Sequence, residues 1–405
     1  MNPRSDVQRS AAGRSTTLRA YVGCYESAQG AGDGGIRAFD VAPDGSLITI
    51  NRVAEPGMAD FLAYADSTST LYAVDQRKSD GRGPVGPPST VWSYRIDQRD
   101  GSLSFLNRQL APGASGNYLC LTHDQTILLS AHHGRFDHVE QVRRTPGGQW
   151  VSEYAYDDST VIAFGLEPGG ELSAIRDLHL RSGHGPDPNS SPQAGGHAQA
   201  SPHAHCVEVD PSGRWAVVCD KGTDEIVVLD LTPGLPTVSS FRLPPGSGPR
   251  HIAFDRAGDR AYLICELSSE VASLTFDAAT GTFTLLNKAS SVLPGQARLN
   301  EPASIRVHPN GRLLYLNNRG EDSLCWFSVA TDGRLTRQGA VPLAPSEHPG
   351  VAARSFSFDP TGPLVFVSDL PANLVRAFAV DPVTGALASL STTAVPRPAY
   401  IQLVG

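Results

Sequence analysis

The sequence predicts an all-β chain folded as a seven-bladed β-propeller, and three observations carry that expectation. A cassette recurs along the chain: a turn, a short apolar strand ending near an Asp-Pro-Gly-type turn, a second strand and a polar loop. Its period of roughly 45 to 50 residues is that of one four-stranded blade per repeat. The two chain ends carry incomplete cassettes that complement each other.

The clearest copy reads Pro249-Arg250-His251-Ile252-Ala253-Phe254-Asp255, followed by Ala261-Tyr262-Leu263-Ile264-Cys265-Glu266. Anchored on the turn residue, six copies fall at Asp66, Asp124, Asp210, Asp255, His308 (before Pro309) and Asp359. Intervals of 45, 53 and 51 residues are regular, whereas two of 58 and 86 residues are long. The excess lies in three stretches, about 79–89, 138–158 and 182–202, of which the first and last are rich in Gly, Pro and Ser. Such composition reads as surface loop. At the N-terminus, Ala20-Tyr21-Val22-Gly23-Cys24-Tyr25, Gly35 to Asp40 and Ser46 to Ile50 resemble second, third and fourth strands. Pro398-Ala399-Tyr400-Ile401-Gln402-Leu403 supplies the missing first strand, so a blade shared between the ends closes the ring over 19–405 and removes exposed sheet edges. Residues 1–18 are polar and read as a disordered tail.

Composition fits that reading. A chain of 405 residues would by length suggest more than one domain, but a propeller grows by adding blades. No run approaches the roughly 18 apolar residues of a membrane span, and no apolar leader segment is visible. The net charge of −8 argues against nucleic acid as a partner. Cys24, Cys120, Cys206, Cys219, Cys265 and Cys325 are scattered without C-x-x-C spacing, which reads as buried thiols in a reducing cytoplasm. Oligomeric state is not legible, since a closed ring needs no partner to protect its edges.

Loops joining last to first strands and second to third strands emerge on one face of a propeller, so first-strand starts and second-strand ends surround one mouth of the channel. Counting back from each turn gives Phe61, Leu119, His205, Arg250, Ala303 and Arg354 as first-strand starts. Second-strand ends are Gln76, His132 to Gly134, Asp220-Lys221, Glu266, Asn318-Arg319 and Asp369. One imidazole, several guanidiniums and a carboxylate at one mouth can bind an anionic small molecule and move protons.

Several segments resemble signature segments of the seven-bladed lactonase family: Tyr21-Val22-Gly23-Cys24-Tyr25, Leu71-Tyr72-Ala73-Val74-Asp75, Gly248-Pro249-Arg250-His251, Cys265-Glu266-Leu267-Ser268-Ser269 and Asn318-Arg319-Gly320-Glu321-Asp322-Ser323. That family includes propeller-type 6-phosphogluconolactonases and carboxy-cis,cis-muconate cyclase. The resemblance implies His205, Arg250, Glu266 and Arg319 as the active-site set, with His205 and Glu266 catalytic and no metal or other cofactor. His251, His132 and Arg354 on the same rim are added as substrate-binding candidates. The chain departs from the family pattern at His132-His133-Gly134 and at Gln76, both on the predicted rim.

Lactone hydrolysis needs a base for water, a donor for the tetrahedral oxyanion and an acid for the departing alkoxide. An imidazole suits the base, so His205 takes that role. Glu266 orients it, or acts as base itself if burial raises its pKa. Arg250 and Arg319 hold a carboxylate, phosphate or oxyanion through paired donors, or else bridge blades as structural salt links. His203 and His205 lie on one side of an extended segment with His197 nearby, which leaves a metal site open without acidic partners. The leading function is hydrolysis of an anionic sugar lactone. A muconate-type lactonising cycloisomerase and a non-enzymatic binding module are the alternatives. Replacing His205 or Glu266 is expected to abolish turnover and leave melting almost unchanged.

Overall fold

The second strands of the cassettes are apolar without alternation, as in Leu71-Tyr72-Ala73-Val74, because both of their faces are covered. Thr70–Asp75, Ile127–His132, Trp215–Asp220 and Leu313–Arg319 are buried along their whole length. The outermost strands bury little: Leu335–Pro342 buries Leu335 alone and Leu387–Ala394 buries no residue fully. Blades stacked face to face produce this gradient, since an inner strand is sandwiched between its neighbours while an outer one borders solvent.

The computed structural model describes residues 17–27, 32–76, 89–136, 138–156, 158–295, 299–347 and 350–405. The N-terminal stretch read as a tail lies outside them except for residues 17 and 18, as does the 79–89 stretch except for Ser89. Among the described residues, seven antiparallel four-stranded sheets form the ring, with one two-stranded sheet beside it. The closing blade runs from outermost to innermost as Leu47–Val53, Gly35–Val41, Arg19–Cys24 and Pro398–Val404, so the last strand of the chain lines the channel.

Two recurring polar devices explain the cassette. In the turn after an innermost strand, Asp210 Oδ1 accepts hydrogen bonds from the backbone N–H groups of Trp215 (2.8 Å) and Arg214 (3.1 Å), and Oδ2 accepts from Ser212 (2.9 Å). An Asp side chain bonding its own following backbone fixes the turn. Between blades, a second-strand tyrosine reaches a turn glycine of the next blade: Tyr21 to the Gly101 carbonyl (2.9 Å), Tyr72 to Gly170 (2.9 Å) and Tyr315 to Gly385 (2.7 Å). Each hydroxyl is satisfied in an apolar interface, which is what permits tyrosine there.

A third device aims side chains. In six blades the ladder between first and second strands skips one residue near the mouth, and the skipped residues are Asp60, Asn117, His205, Arg250, Ala303 and Ala399. In the remaining blade Arg354 immediately precedes the first strand, Ser355–Phe358. A β-bulge leaves one residue out of the pairing and re-aims it.

The two insertions between Phe136 and Ala204 differ from the surface loops expected. The first is a hairpin, His138–Arg144 paired with Trp150–Tyr156, between the second and third strands of its blade. The second, 182–202, crosses the channel mouth, and Gly196, Ala198, Gln199, Ala200 and Ser201 are buried. Its small residues are there to pack closely. Gly185 shows this, since a Cβ on it would lie 2.8 Å from the Gly222 carbonyl oxygen. All six cysteines are free. Among the described residues no helix is long and apolar enough to cross a membrane.

Candidate active site

The backbone around the mouth is fixed by buried acids and amides that are not themselves exposed to a ligand. Asp220 Oδ1 accepts from the N–H groups of His203 (2.8 Å), Gly222 (3.0 Å) and Thr223 (3.2 Å), while Oδ2 lies 2.8 Å from Arg181 Nε. That one carboxylate sets the start of the His205 strand and the turn carrying Lys221. Asp224 does the same for the Arg250 strand by accepting from Gly246 (2.8 Å) and Gly248 (2.7 Å). Arg319 is held by Nε donating to the Glu301 carbonyl at 3.1 Å.

These supports surround a cavity of about 340 Å³, within the range of small-molecule sites. Its centre is Glu266, which is buried. Glu266 Oε2 lies 2.7 Å from Arg250 Nε and 3.0 Å from Arg319 Nη2, and Oε1 lies 3.1 Å from Lys221 Nζ. The two arginine contacts are poorly aligned as hydrogen bonds and act chiefly through charge. Burial alone would raise the Glu266 pKa, but Lys221, Arg319 and Arg250 outweigh it and hold the carboxyl well below its ordinary 4.5. The alternative of Glu266 as a base raised by burial is therefore corrected. It is a fixed anion.

His205 lines the same cavity. Burial first, and then Arg250, His251 and Lys221, push its pKa well below 6.5, so the ring is neutral at neutral pH. Its Nδ1 is buried without a hydrogen-bond partner. Arg354 also lines the cavity; its Nη1 donates to Tyr25 Oη (3.0 Å) and its Nη2 to the Gly350 carbonyl (2.6 Å).

Two expected residues lie elsewhere. His132 is the last residue of its strand and faces the blade interior, with Nε2 3.0 Å from Ser130 Oγ. Its neighbour His133, past the strand end, lines the cavity instead. The alternation of strand side chains causes the difference. His251 follows the bulged Arg250 and so points the other way, into a second cavity of about 390 Å³ lined by the far ends of the innermost strands. There its ring meets Tyr118 edge-on at 5.0 Å, and its Nε2 accepts from Arg250 Nη1 at 3.1 Å, so it supports Arg250 from behind.

The expected slots at Phe61 and Leu119 are also displaced: the bulged residues there are Asp60 and Asn117, and Asn117 lines the cavity. Counting from the turn fails because Asp66 and Asp124 stand one and two residues past the place that Asp210 holds in its turn, which Ala65 and Thr122 take, whereas alignment on the second strand would have found both. Lys221, Glu301 and Gln193 line the cavity as well. Lys221 was named as a strand end without a role, and Glu301 sits two residues before the slot. Gln193 comes from the 182–202 insertion and carried no signal in the sequence. His203 Nδ1 bonds the His133 carbonyl (2.9 Å) and its ring stacks on His133 at 4.1 Å. Among the described residues no group of three or more His, Cys, Asp or Glu is arranged to hold a metal.

Fold and cavity together define the class: a seven-bladed β-propeller with a charged, small-molecule-sized cleft at one mouth of its channel. The chain belongs to the lactonase, 7-bladed beta-propeller family, whose model matches residues 19–403. It is a lactonase-family enzyme of the propeller type. It is 29% identical over 400 residues to a 6-phosphogluconolactonase of Bacillus subtilis, covering 96% of this chain and 99% of that one. Among solved structures it is similar to a putative 6-phosphogluconolactonase of Bacteroides fragilis, with a TM-score of 0.78 and 24% identity over 97% of this chain and 99% of that one. It is equally similar to a periplasmic gluconolactonase of Pseudomonas aeruginosa, with a TM-score of 0.78 and 24% identity over 96% of this chain and 99% of that one. At that identity the two structural likenesses concern the fold.

Proposed function

We propose that the protein hydrolyses an anionic sugar δ-lactone, with 6-phosphogluconolactone as the first candidate. The observation that carries this reading is the charge of the cleft: four cationic side chains, Lys221, Arg250, Arg319 and Arg354, against two carboxylates, Glu266 and Glu301, around a neutral His205. Such a surplus draws in a phosphate or carboxylate, which arginine binds through paired donors. The similarity to the Bacillus subtilis 6-phosphogluconolactonase over nearly the whole of both chains supports the choice of lactone.

In this mechanism His205 takes a proton from water as the water oxygen bonds to the lactone carbonyl carbon. Cationic donors beside it stabilise the tetrahedral oxyanion. The ring C–O bond then breaks, and the imidazolium returns its proton to the departing alkoxide. A depressed pKa makes His205 a modest base but a strong donor in that second step. Glu266 neither takes nor gives a proton; it keeps three cations in place. The free thiols of all six cysteines support the cytoplasm as the working compartment.

The test is to incubate purified protein with 6-phosphogluconolactone, unphosphorylated δ-gluconolactone and carboxymuconate, following acid release or ring closure. Faster hydrolysis of the phosphorylated lactone supports the reading. Turnover of carboxymuconate alone would replace it with cycloisomerisation, and turnover of none would overturn it. Fractionation of the native cells tests the location, and a periplasmic signal would refute it.

A further inference from the structure

The tip of the 182–202 insertion is built into the cleft rather than laid over it. Gln193 Nε2 donates to Glu266 Oε1 and to Glu301 Oε1, each at 2.6 Å, and its Oε1 accepts from Lys221 Nζ at 3.3 Å. The insertion is tied down behind this tip. Asn189 N donates to the Gly196 carbonyl (2.7 Å), Gln199 Nε2 to the Lys221 carbonyl (2.9 Å) and Ser201 Oγ to the Arg135 carbonyl (2.6 Å).

On the other side of the tip lies a further cavity of about 220 Å³. It shares Pro192, Glu266, Leu299 and Glu301 with the catalytic cleft, so the two cavities adjoin, and the Gln193 amide bridges Glu266 and Glu301, the two carboxylates that line both. Their chemistry differs. The catalytic chamber holds the four cations, whereas the side chamber adds Asn189, Ser190, Ser191, Ser269 and Asn300 with no cation of its own. Neutral amides and hydroxyls suit an uncharged polyhydroxy group.

We propose that Gln193 is a specificity-determining residue that sets the size of the lactone. With Gln193 in place the site takes a single-sugar lactone. With its side chain removed the chambers join, and a disaccharide δ-lactone fits with its second, uncharged ring in the side chamber. This rests on the lactonase reading. A wall that excludes a larger substrate supplies specificity by obstruction.

The experiment compares kcat/KM for δ-gluconolactone and for a disaccharide aldono-δ-lactone in the wild type and in Gln193→Ala. Melting temperature serves as the folding control. The wild type is expected to prefer the smaller lactone by at least about 100-fold, and Gln193→Ala to narrow that ratio at least about tenfold, chiefly through KM for the larger one. An unchanged ratio in a folded variant, or a wild type that accepts both equally, overturns the proposal. If the wild type turns over neither of these lactones nor 6-phosphogluconolactone, the lactonase reading fails. Size selection is then read from calorimetric binding of the two ring-opened acids against the same tenfold criterion.

Discussion

Glu266 at the roofed mouth and Glu208 in the channel toward the opposite face belong to the same ring but sit in opposite electrostatic surroundings. Glu266 is ringed by Lys221, Arg250 and Arg319, which hold its pKa well below the ordinary range against the pull of burial. Glu208 accepts from the Tyr118 hydroxyl and has Cys120 Sγ 3.5 Å away, and burial raises its pKa. The cation on its side, Arg306, spends Nε on the Phe356 carbonyl (2.7 Å) and Nη2 on the Tyr400 hydroxyl (2.7 Å). The lesson is that the propeller prescribes no charge state for a carboxylate in its channel. Residues at bulges and strand ends decide it, and these gather cations at one mouth only.

The strongest way to break this contrast is Glu266→Gln. It is expected to lower kcat/KM at least about 100-fold by misplacing the cations that it holds. Three buried cations left facing one another should also cost about 3 to 5 kcal/mol, measured by urea unfolding. This replaces the expectation of unchanged melting, because Glu266 proves to be the counter-ion of a buried cluster. A variant of wild-type stability would show that the cluster does not need its anion.

Acid should find the same region weak. Burial depresses His132 and His203 to about 4, and His205 and His251 lie well below 6.5. As pH falls below 6.5 the unfolded chain takes up protons that the folded one refuses, so stability is present above that pH and lost down to about 4. For His132 and for His203 the loss is about 3 kcal/mol each by pH 4. Denaturation curves between pH 7 and 4 check it, and His203→Asn should flatten the slope. A flat stability profile would mean these rings titrate normally.

A smaller effect separates the anion-binding side chains. Arg250→Lys and Arg319→Lys keep the charge but lose the planar fork, so each should raise KM for a phosphorylated lactone about tenfold and raise it less for the unphosphorylated one. Equal increases for both substrates would remove these arginines from phosphate contact. The smallest effect belongs to the far end. Glu208→Gln should leave kcat/KM within about threefold and stability within about 1 kcal/mol, since an amide can still accept from Tyr118. A loss matching that of Glu266→Gln would dissolve the comparison.

Much of the ring was legible. Leu71-Tyr72-Ala73-Val74 and Ile226-Val227-Val228-Leu229 repeat because every blade must bury the same strands, and Pro398 to Leu403 matched the missing first strand because ring closure demands it. His205, Arg250, Glu266, Arg319 and Arg354 could be picked as exceptions to the repeat, and they line one cleft. Which way a neighbour points was harder to read. His132 and His251 each sit one residue from a cavity-facing side chain and face away, because a bulge or a strand end flips the alternation and leaves no mark in composition.

The sequence by itself determined the period, the ring and the inventory of charged groups at the mouth, since local strand and turn chemistry needs only neighbouring residues. Tertiary structure decided what those groups are. It made His205 a neutral ring through burial and nearby cations, and it kept Glu266 ionised against burial through cations brought from three different blades. It also turned a Gly, Ser and Pro-rich insertion into the wall of the cleft, because small residues pack where a carbonyl must come close and only the folded ring offers that place.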